Sequence, residues 1–105
     1  METRCVIIEL KPGSEDRVKE WASFILENKS EALRTLSAEK VIFEGYYLAD
    51  YESKKLLIGI MRAKSLELAS QVVKDSLSAI DAYHQQFKAD CWGSVVSAVP
   101  ILELE

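Results

Sequence analysis

Four segments of the chain have the composition of β-strands, and each is apolar at odd and even positions alike. Successive strand residues point to opposite faces of a sheet. Val6, Ile8 and Leu10 therefore oppose Cys5, Ile7 and Glu9 on the first segment, and Val41, Phe43 and Tyr47 oppose Ile42, Glu44, Tyr46 and Leu48 on the second. On the third, Leu56, Ile58 and Ile60 oppose Leu57, Gly59 and Met61; on the fourth, Val95, Val99 and Ile101 oppose Val96, Ala98 and Leu102. A sheet with one wet face would alternate apolar with polar residues. This sheet needs cover on both sides. Helices of the same chain can cover one face, and an identical sheet from a second copy is the expected cover for the other, because contiguous apolar patches of this extent are uncommon on monomers. The pattern predicts a homodimer.

The connections supply the helices. The first strand, Cys5 to Leu10, is stopped by Lys11-Pro12-Gly13, a turn signal. Ser14 follows as an N-cap, with Glu15 and Asp16 placed to complement the helix dipole. Val18, Trp21, Ala22, Ile25, Leu26, Ala32, Leu33 and Leu36 then recur at helical spacing, which predicts one helix over 14–36. Val41 to Leu48 and Leu56 to Met61, joined across the polar break Asp50 to Lys54, read as a hairpin. Ser65 opens a second helix with the stripe Leu66, Ala69, Val73, Leu77, Ile80, His84 and Phe87, ending near Gly93 and loosened at Ser76 and Ser78. The last segment, 95–104, is the fourth strand, and Pro100 marks an edge or a bulge in it. The expected fold is α+β: one ferredoxin-like βαββαβ domain over 1–105, a four-stranded antiparallel sheet with two helices on one face.

Composition removes several classes of function. The chain carries 13 basic against 17 acidic residues, a net charge of −4, and the basic residues are dispersed, which argues against nucleic acid. The apolar run after Met1-Glu2-Thr3-Arg4 is too short for a secretory signal or a membrane span, so a cytoplasmic location without membrane contact is expected. Cys5 and Cys91, far apart and outside any CxxC spacing, read as reduced, packed thiols. Nothing resembles a P-loop, a nucleotide-binding glycine pattern or a nucleophile elbow.

Lys11-Pro12-Gly13 with Arg17-Val18-Lys19-Glu20-Trp21, the stretch Leu36 to Val41, and Ile80-Asp81-Ala82-Tyr83-His84-Gln85-Gln86-Phe87 with Cys91 together resemble a family of bacterial proteins of unknown function, one of the dimeric α+β barrels. The likeness covers nearly the whole chain. It implies a two-sheet barrel and carries no catalytic residue that transfers. More distant relatives by fold include cofactor-free quinol monooxygenases, haem-degrading monooxygenases, small isomerases and ligand-sensing domains, so fold analogy discriminates poorly among activities.

Two groups of residues could carry chemistry. His84, the single histidine, falls in the second helical stripe, with Asp81 three residues before it to orient it or raise its pKa. The functional reading is a proton shuttle or a haem ligand; the bland one, which is favoured, is a hydrogen-bonded histidine at the edge of the core. The haem reading is weakened because haem-degrading proteins of this fold also carry a strand-one asparagine and a strand-three tryptophan, whereas strand one has no asparagine and Trp21 and Trp92 are expected outside the strands. No metal site is expected, since one histidine and two separated cysteines give no converging ligand set, and no cofactor is implied. The second group is Glu9, Glu44 and Tyr46, expected to share the open sheet face with Gly59, whose missing side chain would leave room for a ligand. Buried carboxylates there would have raised pKa values suited to acid–base work, or would pair with Arg4, Arg62 or a lysine at the dimer seam. The Trp21, Phe24, Ile25 stripe reads as core. The expectation is a homodimer that binds a small apolar or aromatic molecule, as a cofactor-independent enzyme of monooxygenase or isomerase type. The alternative is a structural or regulatory dimer with a filled barrel.

Overall fold

The computed structural model of the chain describes residues 1–104. The elements run β1 (Glu2–Leu10), α1 (Glu15–Glu27), α2 (Lys29–Ala38), β2 (Val41–Tyr51), β3 (Lys54–Ala63), α3 (Leu66–Asp75), α4 (Ala79–Cys91) and β4 (Trp92–Ala98). The strands form one antiparallel sheet in the order β2-β3-β1-β4, the ferredoxin-like arrangement. Ile8, Leu10, Leu57, Val41 and Ala63 are buried on one face of it, beneath the helices. None of the described helices is long and apolar enough to cross a membrane.

Each of the two expected helices is broken. The first divides at Asn28, which has left helical geometry (φ −113°, ψ 33°) and whose side-chain amide donates to the Phe24 carbonyl at 2.9 Å. The same carbonyl accepts the Asn28 backbone N–H at 3.1 Å, so the amide reinforces the last bond of the helix as it ends. The second divides at Ser76-Leu77-Ser78, where Ser76 and Ser78 are extended. There Ser76 Oγ donates to Asp81 Oδ2 at 2.6 Å and accepts from the Ser78 N–H at 3.1 Å, local bonds that compete with the helix. Leu77 consequently leaves the apolar stripe and is fully exposed. The breaks let four short helices follow the twist of the sheet, α2 packing on β2 and α1 on α4.

Two strand boundaries also differ from expectation. The hairpin strands extend to Tyr51 and Lys54 around a two-residue turn in which Glu52 (φ 49°) and Ser53 (φ 64°) are both left-handed. This is the backbone that matches strand twist, adopted without the usual Asn or Gly. β4 is shorter than expected and lies earlier, ending at Ala98, two residues before Pro100. As an edge strand it has a free side, and the proline stands beyond its last ladder residue. Its first turn away from α4 depends on Gly93: a Cβ there would stand 2.6 Å from the Glu9 carbonyl oxygen, a backbone atom that cannot step aside cheaply. The Lys11 N–H donates to the Cys91 carbonyl at 2.8 Å at the same crossing. Gly93→Ala is therefore expected to lower the free energy of unfolding by about 1–3 kcal/mol, read as a fall in urea midpoint with an unchanged slope.

Candidate functional site

The helix-covered side of the sheet holds two separate cores. Ile8, Leu10, Val18, Trp21, Leu57, Phe87 and Cys91 form one, beneath α1 and α4; Val41, Ala63 and Ala69, with Leu36, Met61 and Leu66 against them, form the other, beneath α2 and α3. Between the two lies a cavity of about 570 Å³. Trp21, Ala22 and Ile25 wall it on one side and Leu36, Met61 and Ala69 on the other, while Arg4, Glu39, Glu44, Tyr46, Asp81, His84 and Lys88 bring polar atoms to it. A second cavity of about 180 Å³ shares Arg4, Glu44, Tyr46, Met61 and Lys88 with the first and reaches Gly59 and Trp92. Mostly apolar walls with a few convergent polar groups are the make-up of a small-molecule site, and the larger volume falls within the usual range of roughly 300–1,000 Å³.

One hydrogen bond sets the proton inventory at the sheet side of the cavity. Trp21 Nε1–H donates to His84 Nδ1 at 3.1 Å. An indole nitrogen only donates, so Nδ1 must offer a lone pair and the neutral imidazole carries its proton on Nε2. Nε2 in turn lies 3.5 Å from Tyr46 Oη, at the outer limit of hydrogen bonding. With Nε2–H directed at the phenol oxygen, the Tyr46 hydroxyl proton is left to point elsewhere. The rings brace this chain of bonds: Trp21 stacks on Phe87 at 4.3 Å between centroids and meets Tyr46 edge-on at 5.0 Å.

Electrostatics push Glu39, Glu44, Tyr46, His84 and Lys88 toward their uncharged forms. His84 is held down at about 3 by burial and then by the Lys88 charge. The Trp21 bond acts in the same direction, because a proton on Nδ1 would face the indole N–H. Burial raises the Glu39 carboxyl to about 7, with the charges of Asp81 and Glu44 adding to it. Burial likewise raises Glu44, against the opposing pull of Lys88 and Arg4, raises Tyr46 and lowers Lys88. Near neutral pH the cavity thus holds a carboxyl that can give or take a proton, a neutral imidazole and a phenol with a free hydrogen.

The family model that matches the sequence spans residues 1–105 and is described as a family of unknown function, DUF6176. The chain belongs to that family. No curated protein matches the sequence. Among solved structures the family member is similar to an L-rhamnose mutarotase from Formosa agariphila, with a TM-score of 0.63 at 17% identity over 100% of both chains. It is also similar to the de novo designed protein Foldit4, with a TM-score of 0.50 at 15% identity over 94% of this chain and 99% of the other. At these identities the likeness establishes the fold.

In this member of DUF6176 the residues singled out by sequence are only partly brought together. Glu44, Tyr46, Asp81 and His84 line the larger cavity, and Gly59 lies in the adjoining one. Glu9 stands apart. Val6 pairs with Gly59 and Gly59 with Tyr46, so Glu44, Tyr46 and Gly59 lie on the helix-covered face, whereas Glu9 points to the open face and pairs with Lys54 at 3.5 Å. The expected two-carboxylate constellation fails because the β1–β3 register differs by one residue from the one assumed, which exchanges the faces. Gly59 also does not leave room for a ligand: a Cβ there would meet Tyr46 Cε1 at 2.8 Å, so the vacated space seats the tyrosine ring. Asp81 is engaged by Ser76 rather than His84, and the His84 pKa falls instead of rising.

Glu39, Lys88 and the second role of Trp21 escape the sequence reading. Trp21 is core, as expected, yet its N–H is the partner of His84. Lys88 was legible in principle, because Asp81, His84 and Lys88 at i, i+3 and i+7 make a polar stripe along one helix face. Glu39 carries no periodic signal; it caps α2 one residue before Lys40, whose φ of 58° turns the chain into β2. Among the described residues no group of three or more His, Cys, Asp and Glu side chains is placed to hold a metal ion, and His84 has both ring nitrogens directed at protein partners.

The shifts of Glu39 and His84 act on stability with opposite pH dependence. Glu39 is raised from 4.5 to about 7, so its contribution is complete below pH 4.5 and is lost as pH rises to 7. His84 is lowered from 6.5 to about 3, so its contribution is complete above pH 6.5 and is lost as pH falls to 3. Glu39→Gln removes the first alone. Its stability relative to wild type is expected to increase between pH 4.5 and pH 8 by on the order of 2 kcal/mol, measured as denaturant midpoints at each pH; a constant difference contradicts the shifted carboxyl.

Proposed function

We propose that the chain is a homodimeric, small-molecule-binding protein that performs cofactor-independent proton transfer of the isomerase type on a small hydroxylated substrate. The observation that carries this reading is the cavity between the two cores, in which the titratable groups Glu39 and Glu44 meet the Trp21–His84–Tyr46 chain of hydrogen bonds. The polar lining replaces the expected small apolar or aromatic ligand with one that has an apolar face for Trp21, Ile25, Leu36 and Met61 and hydroxyl groups for the opposite side. A cavity of about 570 Å³ beneath the helices, touching Glu44, Tyr46 and His84, supports binding over the alternative of a purely structural dimer, whatever the packing between the two sheets.

The chemistry that fits is the opening and reclosing of a cyclic hemiacetal. A base takes the proton of the anomeric hydroxyl, its electrons form the carbonyl, the bond from the anomeric carbon to the ring oxygen breaks, and an acid protonates that oxygen. The same steps in reverse close the ring from the other face. Glu39 and Glu44 supply acid and base, since carboxyls raised toward neutrality exchange protons readily at working pH. The phenol of Tyr46 donates a hydrogen bond to a substrate oxygen, and His84 is a positioning residue that holds Tyr46. The solved mutarotase of the same fold acts, by its name, on a sugar of this class.

The test is exchange NMR on a panel of reducing sugars, following magnetisation transfer between anomers. Wild type is expected to accelerate exchange for at least one sugar, with Glu39→Gln and Glu44→Gln each lowering the rate about 10²–10⁴-fold. His84→Gln is expected to lower it less and to leave the pH profile in place; no acceleration across the panel sinks the isomerase reading.

The dimer rests on the open face. Ile7, Ile58 and Ile60 form its centre, and Phe43, Tyr47 and Val96 are 42%, 52% and 61% exposed in the isolated chain. Sedimentation equilibrium at micromolar concentration is expected to give a dimer, and Ile58→Glu a monomer, because a charge at the centre of that face would be buried without a partner; a monomeric wild type overturns the assignment.

A further inference from the structure

We infer that the ligand of this cavity carries a carboxylate held by Arg4 and Lys88, in addition to its hydroxyl groups. The inference rests on the proposed binding function and names the chemical class of the molecule bound. Both cations line both adjoining cavities. Neither forms an ion pair with a described residue, although Glu39 and Glu44 line the same space. Arg4 spends one N–H on the sulfur of Met61 at 3.4 Å, a weak acceptor. Lys88 has its ammonium 4.9 Å from the centroid of the Trp92 ring, a contact that uses its charge and none of its hydrogens.

Elsewhere the pattern is different. Arg17 donates to Tyr83 and reaches Glu20 and Asp90, and Lys54 and Lys55 each have a carboxylate. Unpaired lysines such as Lys64 are simply exposed. Arg4, exposed along its rim, and Lys88, half-buried, both line the cavity with donors that no carboxylate takes up. A buried cation without a hydrogen-bonded counter-ion is costly unless a ligand supplies one. A planar monoanion matches the guanidinium fork. A phosphate dianion would bring a second charge against Glu39, Glu44 and Asp81, which line the same cavity. The geometry therefore places a carboxylate at the sheet end, over Arg4 and Lys88, with a hydroxylated ring extending past Tyr46 toward Glu39.

Calorimetric titration of two matched sets tests this: D-glucuronate, D-glucose and D-glucose 6-phosphate, and D-galacturonate, D-galactose and D-galactose 6-phosphate. In at least one set the uronate is expected to bind about tenfold tighter than either companion, one charge-assisted hydrogen bond being worth roughly that. Arg4→Gln and Lys88→Gln should each reduce uronate affinity by a similar factor, and by more than any loss of affinity for the neutral sugar, with an unchanged far-ultraviolet circular dichroism spectrum showing that the variants are folded. In both sets, a neutral sugar or a phosphate that binds at least as tightly as its uronate overturns the carboxylate assignment and leaves the binding function standing. Failure of all six to bind overturns both.

Discussion

The hydrogen bond from Trp21 to His84 is the interaction on which the site depends. It joins α1 to α4 inside the core and fixes which imidazole nitrogen carries hydrogen. It also presents Nε2 toward Tyr46 on β2, so that the helix layer and the sheet meet through polar atoms at one point. The tyrosine can lie there only because Gly59 opposite it has no side chain. A central strand normally loses packing at a glycine. Here the loss is offset by an aromatic ring laid across the gap, and the ring's hydroxyl is thereby held over the cavity.

Such a cluster is expensive in a domain of this size. Only a small number of side chains are fully buried, Phe87, Ile8, Leu57 and Cys91 being the largest. Holding Glu39, Glu44, His84 and Lys88 in partial burial costs stability through desolvation, which is why burial leads the causes of each of their shifts. A chain selected for stability alone would close the gap between its two cores with apolar side chains. Keeping ionisable groups around an unfilled volume is the arrangement of a site, since strained or unsatisfied features persist where chemistry needs them.

The four strands, their alternation with helical segments and the turns between them were legible in the sequence because they follow from periodicity and turn residues, which are local. The helix breaks were half legible: Ser76 and Ser78 flag one, whereas Asn28 sits in an unbroken apolar periodicity and shows itself only through its bond to Phe24. The site was less legible. Glu44 and Tyr46 were singled out together with Gly59, and the structure keeps those three on one face, yet it is the opposite face from the one expected. The reason is register. Which residue of β1 faces Gly59 is decided by pairing across some fifty positions of sequence, and no local signal encodes it. Glu9 was lost on that point alone. Glu39 and Trp21 were missed for another reason: each looks ordinary in its own element, and each matters through a neighbour brought by a different one.

The two-sided apolar character of the strands also explains where a site can be. A sheet face buried against a second sheet at the usual spacing of about 10 Å interdigitates its side chains and leaves little volume. A face covered by helices is less uniform, because helices broken into short segments must splay to follow the twist beneath them. In this chain the breaks at Asn28 and at Ser76 to Ser78 divide the helix layer, so that α1 and α4 cover one core and α2 and α3 the other. The cavity is the seam between the two cores, and it opens over β2 and β3 where Glu44, Tyr46 and Met61 project from the sheet. The irregularities that the helical periodicity did not announce are thus the same features that separate the two cores and make space for a ligand.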